Sequence, residues 1–152
     1  MAWAAPRSWS PGELVTAALM NAHVRDNMNA LAGKAIVISI GSPGAGVIAT
    51  GVKAYVEIPV SMKITGWTLL ADASGSIVID VWKDTYANFP PVVGDSIAGS
   101  EKPTLSSQQK NQDLALSMWS TVNIDAGDIL AFNVSSATTV QQVTLTLRGE
   151  PR

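Results

Sequence analysis

The sequence holds no cysteine and a single histidine in 152 residues. The first absence excludes disulfides and thiolate metal sites. With His23 as the one imidazole, neither a cysteine–histidine nucleophilic pair nor a multi-histidine metal centre can be assembled. A Ser-His-Asp triad would have to recruit His23 from a predicted helix, and no Gly-x-Ser-x-Gly elbow is present. Charge is also scarce. Asp, Glu, Lys and Arg make up 14% of the chain, against about 25% in an average protein, while 47% of residues are hydrophobic. A surface so poor in charge is neutral-polar or is covered by partners, which suits an assembled protein. The net charge is −2 and the Lys and Arg residues form no cluster. That argues against a nucleic-acid partner held through phosphate neutralisation. No apolar run approaches the ~20 residues that cross a bilayer, so no membrane partner is expected. The opening residues, Met1 to Arg7, lack the basic start and apolar segment of a secretory signal, so synthesis and folding in a cytoplasm are expected.

What is present falls into two parts. Residues Trp3 to Gly12 carry two tryptophans, two prolines and a glycine, a composition suited to an extended arm. Trp3 and Trp9 either fold back on the chain's own core or dock on a partner, since tryptophan is enriched at interface centres. A helix follows, with Thr16 as N-cap and Gly33 as stop. Met20, Val24, Asn27 or Met28, and Leu31 recur at spacings of four and three, giving one apolar stripe on a polar helix that needs something to pack against. The stripe is short for a coiled coil, and Asn27 falls on the seam.

From Ala35 onward the helical period gives way to short strand-like runs: Ile36–Ile40, Val47–Thr50, Val52–Val60, Leu114–Trp119, Val122–Ile124, Ile129–Val134 and Val140–Leu147. At the centre, Ile64 to Lys83 reads as a hairpin reversing at Asp72-Ala-Ser-Gly-Ser76. In its return strand Ile77, Ile79 and Val81 share one face, and Val78, Asp80 and Trp82 share the other, so both faces should be covered. Asp84 to Gln112 reads as a long irregular segment of the kind that carries function. About eight short strands separated by turn signals indicate a mainly β fold, an antiparallel β-sandwich of jelly-roll type. The expected division is an attachment arm and one α-helix over residues 1–33 and the sandwich over residues 34–150.

Asp72, Asp80, Asp84, Asp95, Asp113, Asp125 and Asp128 are the carboxylates from which a glycosidase pair would be drawn. Turn capping already accounts for Asp72, Asp125 and Asp128, so no catalytic residue is assigned. Asp72 with Ser74, or Asp125 with Asp128, offers oxygen ligands but matches no recognised calcium loop. No metal or cofactor is expected. Trp82, Asp84, Tyr86, Asn88 and Phe89, with Lys83, bring an aromatic plane together with amide and carboxylate groups where a strand runs into a loop. This is a candidate glycan or receptor face. The alternative is that Trp82 and Phe89 pack beneath that loop as a satellite cluster.

Two blocks of the chain carry a resemblance. Trp9, Gly12-Glu-Leu-Val-Thr-Ala17, Asn21, Val24-Arg-Asp-Asn27 and Leu31 resemble the opening of many small structural proteins of tailed bacteriophages. Trp67 to Lys83, Phe89-Pro-Pro91, Asp95-Ser-Ile97, Lys102-Pro-Thr-Leu105, Trp119 and Ala126 to Val134 resemble a β-sandwich domain of phage tail-fibre and virion-surface proteins. The resemblance implies a non-enzymatic virion component, often a homotrimer. It would attach to other virion proteins through Trp3, Trp9, Met20, Val24, Asn27, Met28 and Leu31, and would display the β-domain outward toward a bacterial surface glycan. Capsid decoration is the neighbouring alternative, and a carbohydrate-binding or depolymerising module is the rival from another class.

Overall fold

The computed structural model describes residues 7–31 and 33–152, and the side chains of all of these except 29–31. Trp3 and the side chain of Leu31, two of the docking residues read from the sequence, therefore lie outside the described set.

Among the described residues the chain is mainly β, with one helix ahead of seven strands. Helix α1 covers residues 17–31 and is α-helical at Ala17–Met20 and Asp26–Leu31, with a π-helical turn at Asn21–Arg25 between them. The strands are β1 (Lys34–Gly41), β2 (Gly51–Glu57), β3 (Met62–Thr85), β4 (Thr104–Asp113), β5 (Asn123–Ile124), β6 (Asp128–Thr138) and β7 (Gln142–Pro151). All seven join one antiparallel sheet of order β1-β7-β3-β6-β2, with β4 and β5 also paired to β3. A jelly roll of two separately bonded sheets is not what these pairings describe.

The sheet is organised by β3, which runs unbroken for 24 residues. The expected hairpin at Asp72–Ser76 is absent. Instead the first part of β3, Met62 to Ala71, pairs with β7, and the second part, Ser76 to Thr85, pairs with β6. β6 and β7 follow one another along the same edge of β3, and β1 and β2 line their far side in the same way. The row of β7 and β6 and the row of β1 and β2 are thus both interrupted at one level, beside the middle of the continuous β3, where the sheet creases. Backbone with positive φ collects there: Gly41 at 83°, Ser107 at 53° and Thr139 at 73°. Two glycines let the rows approach at the crease. A Cβ on Gly41 would lie 2.1 Å from the Gln141 carbonyl oxygen, and one on Gly75 would lie 2.7 Å from that of Thr138. Gly75 is needed for close approach and not for reversal. Asp72, read as capping its own turn, accepts hydrogen bonds from Gln141 N (3.2 Å) and Gln142 N (3.0 Å) and so caps the β6–β7 junction.

Creasing brings two apolar faces together. Ile38 and Ile40 of β1, Trp67 and Leu69 of β3, and Leu145 and Leu147 of β7 share one cluster with Ile77, Ile79 and Val81 of β3 and Leu130, Phe132 and Val134 of β6. The period of two that places these residues inward is legible in each strand. Each fully buried side chain of this size contributes roughly 1.5–3 kcal/mol. The remaining expectations fare unevenly. Val47–Thr50 is not a strand, though Ile48 anchors it with its N–H on Val140 O (3.0 Å). Leu114–Trp119 is a turn-rich loop, and the polar run Ser106–Gln112 lies within β4.

Candidate recognition surfaces

Trp82, Asp80 and Asp84 point from the outer face of β3, opposite the core residues Ile79 and Val81. Residues 86–103 fold back over this face. Ser96 bridges to Trp82 in antiparallel fashion, and Ile97 N donates to Val81 O (2.9 Å). The loop leaves Trp82 only 9% exposed and Asp80 only 1% exposed. Asp80 accepts from the Ser96 hydroxyl (2.7 Å) and pairs with the Lys102 ammonium (2.8 Å). Burial alone would push its carboxyl up, but Lys102 and Ser96 outweigh burial and hold it below the usual carboxylate range. Trp82 is therefore part of the layer beneath the loop, and its ring is not offered to a ligand.

The other candidate residues do reach the surface. Tyr86 and Asn88 form a single 3-10 turn after β3. Asp84 organises that turn by accepting from Thr85 N (2.7 Å) and the Asn88 side-chain amide (3.1 Å), bonds that hold its carboxyl below the ordinary value, the Thr85 N–H contributing most. Tyr86 is 78% exposed, and Phe89 is half-exposed. Phe89 meets Tyr55 of β2 edge-to-face, with ring centroids 4.9 Å apart. Val92 and Val93 extend the apolar surface along the same loop. Nothing local in the sequence joins Tyr55 to Phe89 across so long a separation. The face that results is Tyr55, Tyr86 and Phe89, with Asn88 at its rim. An aromatic surface edged by an amide can stack on the apolar side of a sugar ring or seat in a protein groove.

The seven carboxylates considered for catalysis all serve their own turns and loops. Besides Asp72, Asp80 and Asp84, Asp95 accepts from Val92 N (2.7 Å) and Asp113 from Ala115 N (2.9 Å). Asp125 accepts from Arg152 (2.6 Å), and Asp128 takes both Lys83 (2.8 Å) and Asp125 N (2.9 Å). Among the described residues no three His, Asp or Glu side chains stand together as metal ligands would.

The second surface is α1. Thr16 caps it as read, its hydroxyl accepting from Leu19 N (3.2 Å). The described part of the arm, from Arg7, folds back onto the helix. Glu13 closes a turn on Ser10 N (3.2 Å) and pairs with Arg7. The Arg7 guanidinium sits 4.9 Å over the Trp9 ring, and Trp9 meets His23 edge-on at 6.3 Å. Met20, Val24 and Met28 are exposed, whereas Asn27 is buried. Among the described residues none of the core cluster belongs to the arm or helix. Among the described residues, the helical stripe has no strand packed over it.

Comparison of the chain with protein-family models, with curated proteins and with solved structures finds no match.

Proposed function

We propose that this protein is a non-enzymatic structural component of a tailed-bacteriophage virion, anchored by its arm and helix and displaying the β-domain. One observation carries the anchoring part: an apolar stripe of Met20, Val24 and Met28 left open on a helix that, among the described residues, adds nothing to the core formed by the strands. A helix of this kind gains its stability from a partner. The virion setting rests on the sequence resemblance of residues 9–31 and 67–134, and so does the choice of a tail or surface fibre over capsid decoration. In this reading the two parts of the creased sheet serve as the layers of a jelly-roll-like sandwich, and three copies associate through the stripe. The exposed face of Tyr55, Tyr86 and Phe89 favours host-surface attachment through a glycan, and a carbohydrate-binding module is the second reading that it supports.

The test is the solution mass of the full chain by light scattering, repeated without residues 1–33. Among the described residues the whole core cluster lies beyond that cut, so the remainder is expected to retain its core. A threefold association that is lost on truncation supports a helix-borne fibre. A trimer that persists moves assembly to the β-domain, and a monomer in both states removes the fibre reading.

A further inference from the structure

A sheet that does not close leaves strand edges, and soluble proteins blunt such edges with bulges, charges, proline or brevity. This chain blunts all but one. β2 carries a bulge between Val52 and Ala54 with Lys53 and Glu57 on its outer face. β4 is polar and breaks register against β3 twice, and β5 is two residues long. β1 has none of these. Lys34–Gly41 reads Lys-Ala-Ile-Val-Ile-Ser-Ile-Gly, keeps unbroken register with β7 along its whole length, and contains no proline. Its one charge stands at the first position, and that ammonium is turned onto Ser61 O (2.6 Å) of its own chain. Val37, at the middle, is 60% exposed. A groove of about 490 Å³ runs beside the strand, lined by Lys34, Ile36 and Val37 on one side and Val56, Ile58 and Val60 on the other. Among the described residues no strand other than β7 pairs with β1.

We infer that β1 is an interface strand that pairs antiparallel with β1 of a second copy, centred on Val37. The segment is complementary to itself. Residues directly opposite in an antiparallel pair share a face. Centring on Val37 sets the exposed Val37 against its own copy and Ala35 against Ser39 on the outer face, with Ile36 against Ile38 on the inner. Lys34 faces Ile40, so no like charges meet. The contact is isologous and closes at two copies. It is independent of the virion reading and uses none of the helical stripe. An assembly joined through α1 would change the starting mass but not the doubling.

Because the protein has no cysteine of its own, single-cysteine variants of the full chain report the register directly. Under mild oxidation Val37→Cys should become a disulfide-linked dimer. Ala35→Cys and Ser39→Cys should each stay unlinked alone, their own copies being about 13 Å apart along the strand. A mixture of those two should link. Val37→Lys sets two ammonium groups face to face and should halve the mass measured by light scattering, with the near-ultraviolet circular dichroism of the tryptophans unchanged. Failure of Val37→Cys to link while that spectrum stays native would overturn the inference, as would equal linking at all three positions or an unchanged mass for Val37→Lys. Halving by Val37→Lys without linking at Val37→Cys would give the edge to a different strand, such as the second copy's β2, and would overturn the self-pairing.

Discussion

A buried ion pair is one of the ties that hold the loop over β3, and Lys102→Met measures how strongly. Removing one partner of a buried pair typically costs about 3–5 kcal/mol, because the other charge is left desolvated. Asp80 is sealed, but the Lys102 side chain is 32% exposed, so water takes over part of its role and the Ser96 hydroxyl remains. The expected cost is therefore about 2 kcal/mol. With a urea m-value of about 2 kcal/mol/M this shifts the midpoint by roughly 1 M, and it lowers the melting temperature by about 4–8 °C. Asp80→Asn combined with Lys102→Met should lose less than the two single losses added, with about 1–2 kcal/mol of coupling, since the double variant buries no lone charge.

The pH dependence follows from the depressed carboxyl of Asp80. An acid whose folded pKa lies below its unfolded value adds stability that is complete above the unfolded value, about 3.9, and is lost as pH falls through the folded one. Without Lys102 the largest partner that lowers this carboxyl is gone, so its folded pKa rises and acid weakens the variant less than the parent. The difference between the two proteins should narrow as pH falls below about 4. Urea melts of the four proteins of the cycle, at neutral pH and near pH 3.5, test both statements. A loss under about 0.5 kcal/mol at neutral pH, or additivity in the cycle, would mean that the pair does not hold the loop.

Gly75→Ala places a methyl 2.7 Å from both the Thr138 carbonyl oxygen and Val140 Cγ2 and should cost about 1–3 kcal/mol, read by the same urea melts. Tyr86→Ala should leave the melting temperature within about 2 °C and weaken glycan or receptor capture, whereas Trp82→Ala should destabilise by about 3–5 kcal/mol. A glycan-binding assay is therefore informative at Tyr86 and not at Trp82. Met28→Asp on the open face of α1 should leave the β-domain's melt unchanged while reducing the mass or particle incorporation of the full chain; unchanged assembly would remove the helix from the anchor.

Strands packed on the core are the readable ones. In β7 only one face is fully buried, so Val143, Leu145 and Leu147 alternate with Thr144, Thr146 and Arg148. In β6 residues 128–132 are buried on both faces, and the continuous apolar run Ile129–Phe132 announces the strand. β4 carries neither signal, because only Leu105 of its ten residues is buried. With both faces largely wet, Ser106–Gln112 has no period and passes for a loop. At Asp72–Ser76 the composition of a turn and that of a crease coincide. Both need a small residue and a side-chain acceptor for stray N–H groups, and the sequence does not say whether those groups belong to Asp72's own turn or to Gln141 and Gln142. Leu114–Trp119 fails in the opposite way. Its apolar residues are spaced like a strand, yet Leu116 has φ 49°, and the Trp119 indole donates to Glu101 O (3.1 Å). The same limit hides the Tyr55–Phe89 contact, which only the fold brings together.

The crease also sorts the surfaces. Helix α1 leads through Gly33 directly into β1, and β1 lies on β7 in the part of the sheet that includes Trp67 and Leu69. Tyr55, by contrast, belongs to β2, which lies on β6 in the other part, and the loop bearing Tyr86 and Phe89 leaves β3 at the end of that part. The unguarded edge thus falls on one part of the sheet, the part that follows the helix in the chain, and the aromatic face falls on the other. A molecule fixed by the first presents the second, with the shared core of Leu69, Leu145, Ile79 and Phe132 as the rigid connection between them. Helix variants should then alter assembly without altering ligand capture per folded chain, and Tyr86→Ala should do the reverse. If a single substitution on either surface disturbed both measurements while the fold stayed intact, the two surfaces would be one site and this division of labour would be wrong.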